Sequence, residues 1–224
     1  MSINLNRLKK DEILYLYNHK CRHGHRYIEH TNCYLTEKPN HSQIFEKIGA
    51  FDIETSNLQA TFGIVFSYCI KLEDGTIIGR SITPTEMKKK IFDKDLLKEM
   101  VENLSKLDVC ITWFGEYFDI PFVRSRCLHH NIPFIEWKGL KHIDLWKTCK
   151  RKLKIHSNRL QACCNFLNIP AKGHPIKSDV WFGAMAGDKK ALDYIYTHNV
   201  EDVDSTIAVY HKFKPYMTNT KPSV

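Results

Sequence analysis

Apolar positions along this chain follow two periods. Three early runs, Ile48–Glu54, Phe62–Lys71 and Ile77–Thr83, have the short apolar or alternating pattern of β-strands. The second and third are joined by Leu72-Glu-Asp-Gly-Thr76, whose Asp-Gly step is a strong hairpin signal. From Thr85 to Leu107 the period lengthens, with Ile91, Leu96, Leu97, Met100, Val101 and Leu104 at helical spacing. Beyond that point the pattern alternates. Asp108–Trp113 reads as a short buried strand, Pro121–His130 as a helix and His142–Trp146 as a fifth strand, followed by a helix through Leu167. Lys189–Phe213 reads as a last, long helix. Three antiparallel strands followed by alternating helix and strand predict an α/β domain, a mixed sheet flanked by helices. Residues 1–40 stand apart as a lead-in rich in Tyr, His and Asn, closed by Glu37-Lys-Pro-Asn40. The chain therefore divides into a 1–40 appendage and a 41–224 domain.

The chemistry starts in the first strand, Ile48-Gly-Ala-Phe-Asp-Ile-Glu-Thr55. Side chains at i and i+2 of a strand share a face, so Asp52 and Glu54 stand together while Phe51 and Ile53 point the other way. Like charges that close repel, and a divalent cation relieves the repulsion; hard oxygen ligands suit magnesium or manganese. A strand whose polar face meets water would carry the same two residues without a metal, so later segments decide. Asp119 lies in Ile111-Thr-Trp-Phe-Gly-Glu-Tyr-Phe-Asp-Ile-Pro-Phe122, where an apolar strand runs into a turn and then a helix. Asp202 lies in the helical stretch Tyr196-Thr-His-Asn-Val-Glu-Asp-Val-Asp204, with His198 one turn earlier on the same face.

These three segments resemble the motifs of the DEDD superfamily of 3′–5′ exonucleases, which have a ribonuclease H-like fold. Asp52 and Glu54 match its first motif, Asp-x-Glu on a strand. Phe118 and Asp119 match the Phe-Asp that ends the second. Asp202 with His198 matches the third, an Asp preceded by Tyr or His. Order and separation agree, and the resemblance covers about residues 46 to 210. Around Phe118–Arg126, His142–Trp146 and His198–Asp204 the chain is most similar to stand-alone exonucleases of viruses and microbes. Two positions depart from the pattern. Phe114 stands where the second motif commonly has Asn, and His198 sits at the spacing the tyrosine subclass uses for Tyr. The resemblance implies that Asp52, Glu54, Asp119 and Asp202 hold two Mg²⁺ or Mn²⁺ ions, and that His198 orients the attacking water. It implies a single-stranded DNA or RNA end as substrate, and a replication or repair partner if a free-standing chain is to proofread. An endo-acting nuclease could use the same carboxylates. A non-catalytic binding module would have no reason to keep four mutually repelling acids.

Composition narrows the setting. The chain has 224 residues and a formal net charge of +8, which suits a polyanionic partner. It has no apolar run long enough to span a bilayer and no secretory core near Met1, so no membrane is expected. The eight cysteines, with Cys163 and Cys164 adjacent, suit no disulfide framework and point to a reducing cytoplasm, the host's if the chain is viral. Between Lys138 and Arg159 there are eight Lys or Arg and one acid, Asp144, with Trp137 and Trp146 interleaved. That pattern fits either a backbone-tracking and stacking surface or a solvated helix face around one core Trp. Arg124, Arg126 and Lys177 are candidate phosphate contacts. Asp144 is either a fifth carboxylate of the site or the cap of the next helix. In the lead-in, Cys21-Arg-His-Gly-His-Arg-Tyr-Ile-Glu-His-Thr-Asn-Cys33 packs two Cys and three His into thirteen residues. Cys21, His25, His30 and Cys33 make a tetrahedral zinc set, with His23 able to replace His25; the alternative is a chance cluster on a packed strand. Nothing in the sequence separates DNA from RNA.

Overall fold

The computed structural model describes residues 3, 5, 8, 10–37, 47–135, 140–170 and 175–217. The chain forms two compact units, residues 1–47 and 48–224. The boundary expected after residue 40 falls in a stretch, 38–46, that lies outside the described residues.

The first unit contains α1 (Lys10–Asn18) and α2 (Thr31–Glu37), with an antiparallel bridge between Lys20 and Arg26 in the connection. Its core is small: Leu16, Cys21, Tyr27, Cys33 and Tyr34, joined by Ile3 and Leu8.

The second unit is built on a five-stranded sheet: β1 (Ile48–Thr55), β2 (Val65–Leu72), β3 (Ile77–Ser81), β4 (Val109–Thr112) and β5 (Lys141–Asp144), in the order β3-β2-β1-β4-β5. β1, β2 and β3 are antiparallel, whereas β4 and β5 run parallel to β1. The helices are α3 (Pro84–Lys88), α4 (Lys94–Leu104), α5 (Asp119–His129), α6 (Leu145–Lys152), α7 (Leu160–Phe166), α8 (Ser178–Met185) and α9 (Lys189–Phe213). This is the mixed sheet with flanking helices that the sequence pattern predicts.

Strand alternation sorts the core onto two faces. Phe51, Ile53, Tyr68 and Ile70 pack with Leu96, Leu97 and Met100 of α4 and Ile120, Phe122 and Val123 of α5. Ala50, Cys69, Val109 and Ile111 pack on the other face with Val203, Ile207 and Tyr210 of α9, and with Leu145, Cys163 and Cys164. Each such fully buried large side chain contributes about 1.5–3 kcal/mol. Asp52 and Glu54 therefore belong to the α9 face.

Several elements differ from expectation for identifiable reasons. The helix expected over Thr85–Leu107 is two helices, because Lys90 and Phe92 take positive φ (55° and 52°) and break it before Asp93. The break lets the buried Asp93 carboxylate reach Arg126, His130 and the Val65 N–H. β3 stops at Ser81 because Thr83 starts α3 through a capping box with Glu86. β5 stops at Asp144, which caps α6 through the Trp146 N–H at 3.0 Å. The helix expected through Leu167 is divided into α6 and α7, and α8 has no counterpart in the periodicity. The last helix spans Lys189–Phe213 as expected, opening where the Asp188 side chain accepts from the Lys190 N–H.

Candidate metal and nucleic-acid site

The topology explains why distant acids meet. β1, β4 and β5 are parallel, so their carboxyl ends lie at one edge of the sheet, where α/β folds place ligands. Asp52 and Glu54 end β1, Asp119 opens the helix after β4, and Asp144 ends β5. α9 packs across the same face and brings Asp202. Carboxylate oxygens of Asp52, Glu54 and Asp202 lie within 4.8 Å of one another, a spacing at which one divalent ion could bind all three.

Asp119 is not among these converging groups but lies buried beside β1. β1 pairs with β4 only over Ile48–Ala50, and the Ile53 N–H, further along β1, donates to Asp119 Oδ1 at 3.1 Å. Burial pushes the Asp119 carboxyl up to about 7; the Ile53 N–H opposes the shift, and the charges of Asp144 and Asp202 add to it. The turn that delivers Asp119 depends on Gly115. A Cβ there would lie 2.5 Å from the Thr112 side chain.

Asp144 is buried and accepts from three backbone N–H groups: Phe114 at 2.9 Å, Glu116 at 3.1 Å and Trp146 at 3.0 Å. It is the cap of the following helix and also ties down the turn before Asp119. His198 is buried, its Nδ1 lies 3.1 Å from Glu201 Oε2, and its ring meets Tyr194 edge-on. The imidazole is not among the groups that converge with Asp52, Glu54 and Asp202.

Sequence reasoning missed Asn199. It is fully buried, and its Nδ2 donates to Asp52 Oδ2 at 2.6 Å, fixing that carboxylate. Helical spacing could have found it, since it lies three residues before Asp202 and so shares its face.

An aromatic group sits beside the Asp144 turn. Phe114 and Tyr117 stack at 5.1 Å between centroids, and both meet the Trp146 ring edge-on, at 5.0 and 5.6 Å. Phe114 and Tyr117 are 40% and 53% exposed. Lys147 lies over Tyr117, while pairing with Glu116, and Lys150 lies over Trp146. A groove next to them is lined by Leu58, Ala60, Tyr117, Phe118, Pro121, Phe122 and Ser125. Leu58 and Phe62, in the loop after β1, are 82% and 76% exposed.

Of the candidate phosphate contacts, Arg126 requires correction. It is buried and makes a two-pronged ion pair with Asp93, Nε at 2.8 Å and Nη2 at 2.7 Å, so its guanidinium serves the fold. Arg124 lies over the Phe134 ring. Lys177 is exposed immediately before α8. Trp137 lies outside the described residues. In the first unit, the groups that converge are Cys21, His23, His30 and Cys33, so His23 rather than His25 completes the cluster. No described helix is long and apolar enough to cross a membrane.

Comparison with known proteins agrees with this architecture. The chain is 25% identical over 158 residues to the catalytic polypeptide of DNA polymerase epsilon from Arabidopsis thaliana, a match covering 59% of this chain and 7% of that protein. Its fold is similar to that of the family B DNA polymerase from the hyperthermophilic archaeon Pyrobaculum calidifontis, with a TM-score of 0.64 at 16% identity. That match covers 77% of this chain and 25% of the polymerase. The chain thus spans a small part of each relative's length. The family model of the RNase_H superfamily matches residues 50–214, most of the chain and all of its candidate carboxylates, and the chain belongs to that superfamily.

Proposed function

We propose that this protein is a divalent-metal-dependent nuclease that removes nucleotides from the 3′ end of single-stranded nucleic acid. The observation that carries the reading is the meeting of Asp52, Glu54 and Asp202 at the carboxyl edge of the sheet, with Asp119 held beside the same strand by the Ile53 N–H. Acids held this close repel one another, and hard cations offset the repulsion. Asp52, Glu54, Asp119 and Asp202 would hold two Mg²⁺ or Mn²⁺ ions. Such a pair supplies an activated water and stabilises charge on the leaving oxygen of a phosphodiester.

The remaining roles belong to the chain's own groups. Asn199 holds Asp52 in one orientation. Glu201, accepting at His198 Nδ1, orients the ring and fixes the tautomer that leaves the lone pair on Nε2. His198 is therefore the group we assign to orient and deprotonate water, with Glu201 positioning it. Phe114, Tyr117 and Trp146 offer ring faces and edges for unpaired bases, and Lys147 and Lys150 offer charge for the backbone. Leu58 and Phe62 would meet the terminal base at the mouth of the groove. Both relatives are named as DNA polymerases, which favours DNA over RNA.

The test is incubation of the full chain with 5′-labelled single- and double-stranded DNA and RNA in Mg²⁺ or Mn²⁺. The expected result is a ladder shortening from the 3′ end of single-stranded DNA, stopped by chelation. Cutting of a circular single strand would identify an endo-acting nuclease instead. Inactivity on every substrate would identify a binding module. His198→Ala should slow cleavage by roughly 10²–10⁴, with metal affinity near wild type, and His198→Tyr should recover part of the loss. Equal rates for wild type and His198→Ala would remove the histidine from the mechanism.

A further inference from the structure

We infer that the first unit is organised around a structural zinc ion held by Cys21 Sγ, His23 Nδ1, His30 Nδ1 and Cys33 Sγ. Zinc takes thiolate sulfur at about 2.3 Å and imidazole nitrogen at about 2.0–2.1 Å in a tetrahedron, which sets sulfur-to-nitrogen edges at roughly 3.5 Å. The four such edges here are 3.4 Å (Cys21–His30), 3.9 Å (Cys21–His23), 3.2 Å (Cys33–His23) and 3.4 Å (Cys33–His30). All four atoms lie within 4.8 Å of one another. Both sulfurs belong to buried, free cysteines.

The backbone explains why these atoms converge. Cys21 opens a tight turn: its N–H donates to the His25 carbonyl at 2.8 Å, and the Gly24 N–H donates back to the Cys21 carbonyl at 2.9 Å. Gly24 has φ +83°, a left-handed conformation that glycine adopts at little cost, and this curls His23 over Cys21. The other two ligands come from the start of α2. There the Cys33 N–H donates to the His30 carbonyl at 3.0 Å, and the i, i+3 spacing sets both side chains on one face. His25 is excluded by the same turn. Its ring packs edge-on against His30 at 5.1 Å between centroids, and its nitrogens are not among the converging ligand atoms.

The ion would also answer a problem of size. A unit of fewer than fifty residues with a core of a few Tyr, Leu and Ile side chains buries too little to fold well without a staple. Four ligands from two segments would clamp the turn to α2 with the buried Tyr27 between them. This site is separate in residues and in ligand chemistry from the carboxylate cluster, and does not depend on the nuclease reading.

The experiment uses the full-length protein. Elemental analysis of purified protein should find about one zinc per chain. After zinc is stripped, added Co²⁺ should give tetrahedral visible bands together with thiolate-to-cobalt charge transfer, which carboxylate ligands cannot produce. His23→Asn and Cys33→Ser should lose the charge-transfer bands and the zinc, and limited proteolysis should then cut within residues 10–37. His25→Asn should keep both metal signals. Absence of zinc together with absence of charge transfer would overturn the site. So would a Cys21–Cys33 disulfide in protein purified without reductant. Loss of metal from His25→Asn but not from His23→Asn would overturn the ligand assignment, and because neither variant removes a core side chain the comparison survives if the cysteine variants fail to fold.

Discussion

Asp93 and Asp119 are both buried carboxylates, at the entrances of α4 and α5, and their surroundings treat them in opposite ways. Burial works against ionising Asp93, but Arg126, the Val65 N–H and His130 hold its carboxyl below the ordinary carboxylate range. Asp119 receives the Ile53 N–H but faces the charges of Asp144 and Asp202, and burial pushes it up to about 7. The first acid is neutralised by a cation the fold itself supplies, Arg126. The second adds negative charge to an already acidic edge. A carboxylate of the first kind stabilises the chain; one of the second kind makes sense when a cation arrives from outside.

The largest effect that tests this contrast is on cleavage. Asp119→Asn or Asp52→Ala should reduce it at least about a thousandfold, which is about 4 kcal/mol in the barrier, because metal stabilisation of developing charge is worth several kcal/mol. Yet the melting midpoint of the chelated Asp119→Asn protein should match or exceed wild type, since a repelling charge has gone. A clear loss of stability would put Asp119 in the same class as Asp93. Asp93→Asn should behave in the reverse manner. It strands a buried guanidinium and should cost about 3–5 kcal/mol in denaturant unfolding, with Asp93→Asn/Arg126→Met recovering part of that loss. Full stability of Asp93→Asn would show that the ion pair is not what retains this carboxylate.

The contrast also marks how far the sequence could be read. Asp52 and Glu54 were legible because strand alternation alone puts them on one face, and the long helix carrying Asp202 was legible from its unbroken period. Asp93 was not, since local spacing favours a continuous helix from Thr85. What interrupts it is a long-range requirement, the need of Arg126 and the Val65 N–H for a buried partner. For the same reason Arg126 read as a surface cation, because a charge in a sequence does not reveal its partner thirty-three residues away. Asn199 was half legible: helical spacing puts it on the face of Asp202, but only the crossing of α9 over β1 makes Asp52 its partner. His23 and His25 could not be separated by counting, as the choice rests on a single left-handed glycine between them.

A subtler consequence appears when the chelated protein is titrated. The folded pKa of Asp93 lies below the unfolded value of about 3.9, so its stabilisation is present above that pH and is lost only as pH falls through the folded value. For Asp119 the sign reverses. Between roughly pH 4 and pH 7 the folded state keeps a proton that the unfolded state releases, so stability falls as pH rises through that window and levels above it. Histidines titrate in the same range, so the quantity to measure is the difference in urea midpoint between wild type and Asp119→Asn. That difference should grow across the window in chelator, whereas saturating Mg²⁺ should shift it in favour of wild type, whose Asp119 then ligates the ion. A flat difference in chelator would mean that Asp119 is not held protonated by its neighbours.

The smallest effect lies in the turn that leads to Asp119. Phe114 has φ +67°, where a bulky residue is strained, while its N–H donates to the Asp144 carboxylate and its ring joins Tyr117 and Trp146. Left-handed strain costs about 1–3 kcal/mol, whereas each favourable ring pair returns about 0.5–1.5 kcal/mol beyond burial. Asn tolerates this backbone far better than Phe, so Phe114→Asn exchanges one term for the other and should leave stability within about 1 kcal/mol of wild type. Phe114→Leu keeps the strain and loses the rings, and should be the less stable of the two. Both should weaken binding of a single strand, by about 1–3 kcal/mol if the ring stacks one base. Equal stability of the Asn and Leu variants would mean the turn is not strained. Wild-type strand affinity in both would leave the aromatic group as packing around Asp144, and the carboxylate edge would have to recognise its substrate by other contacts.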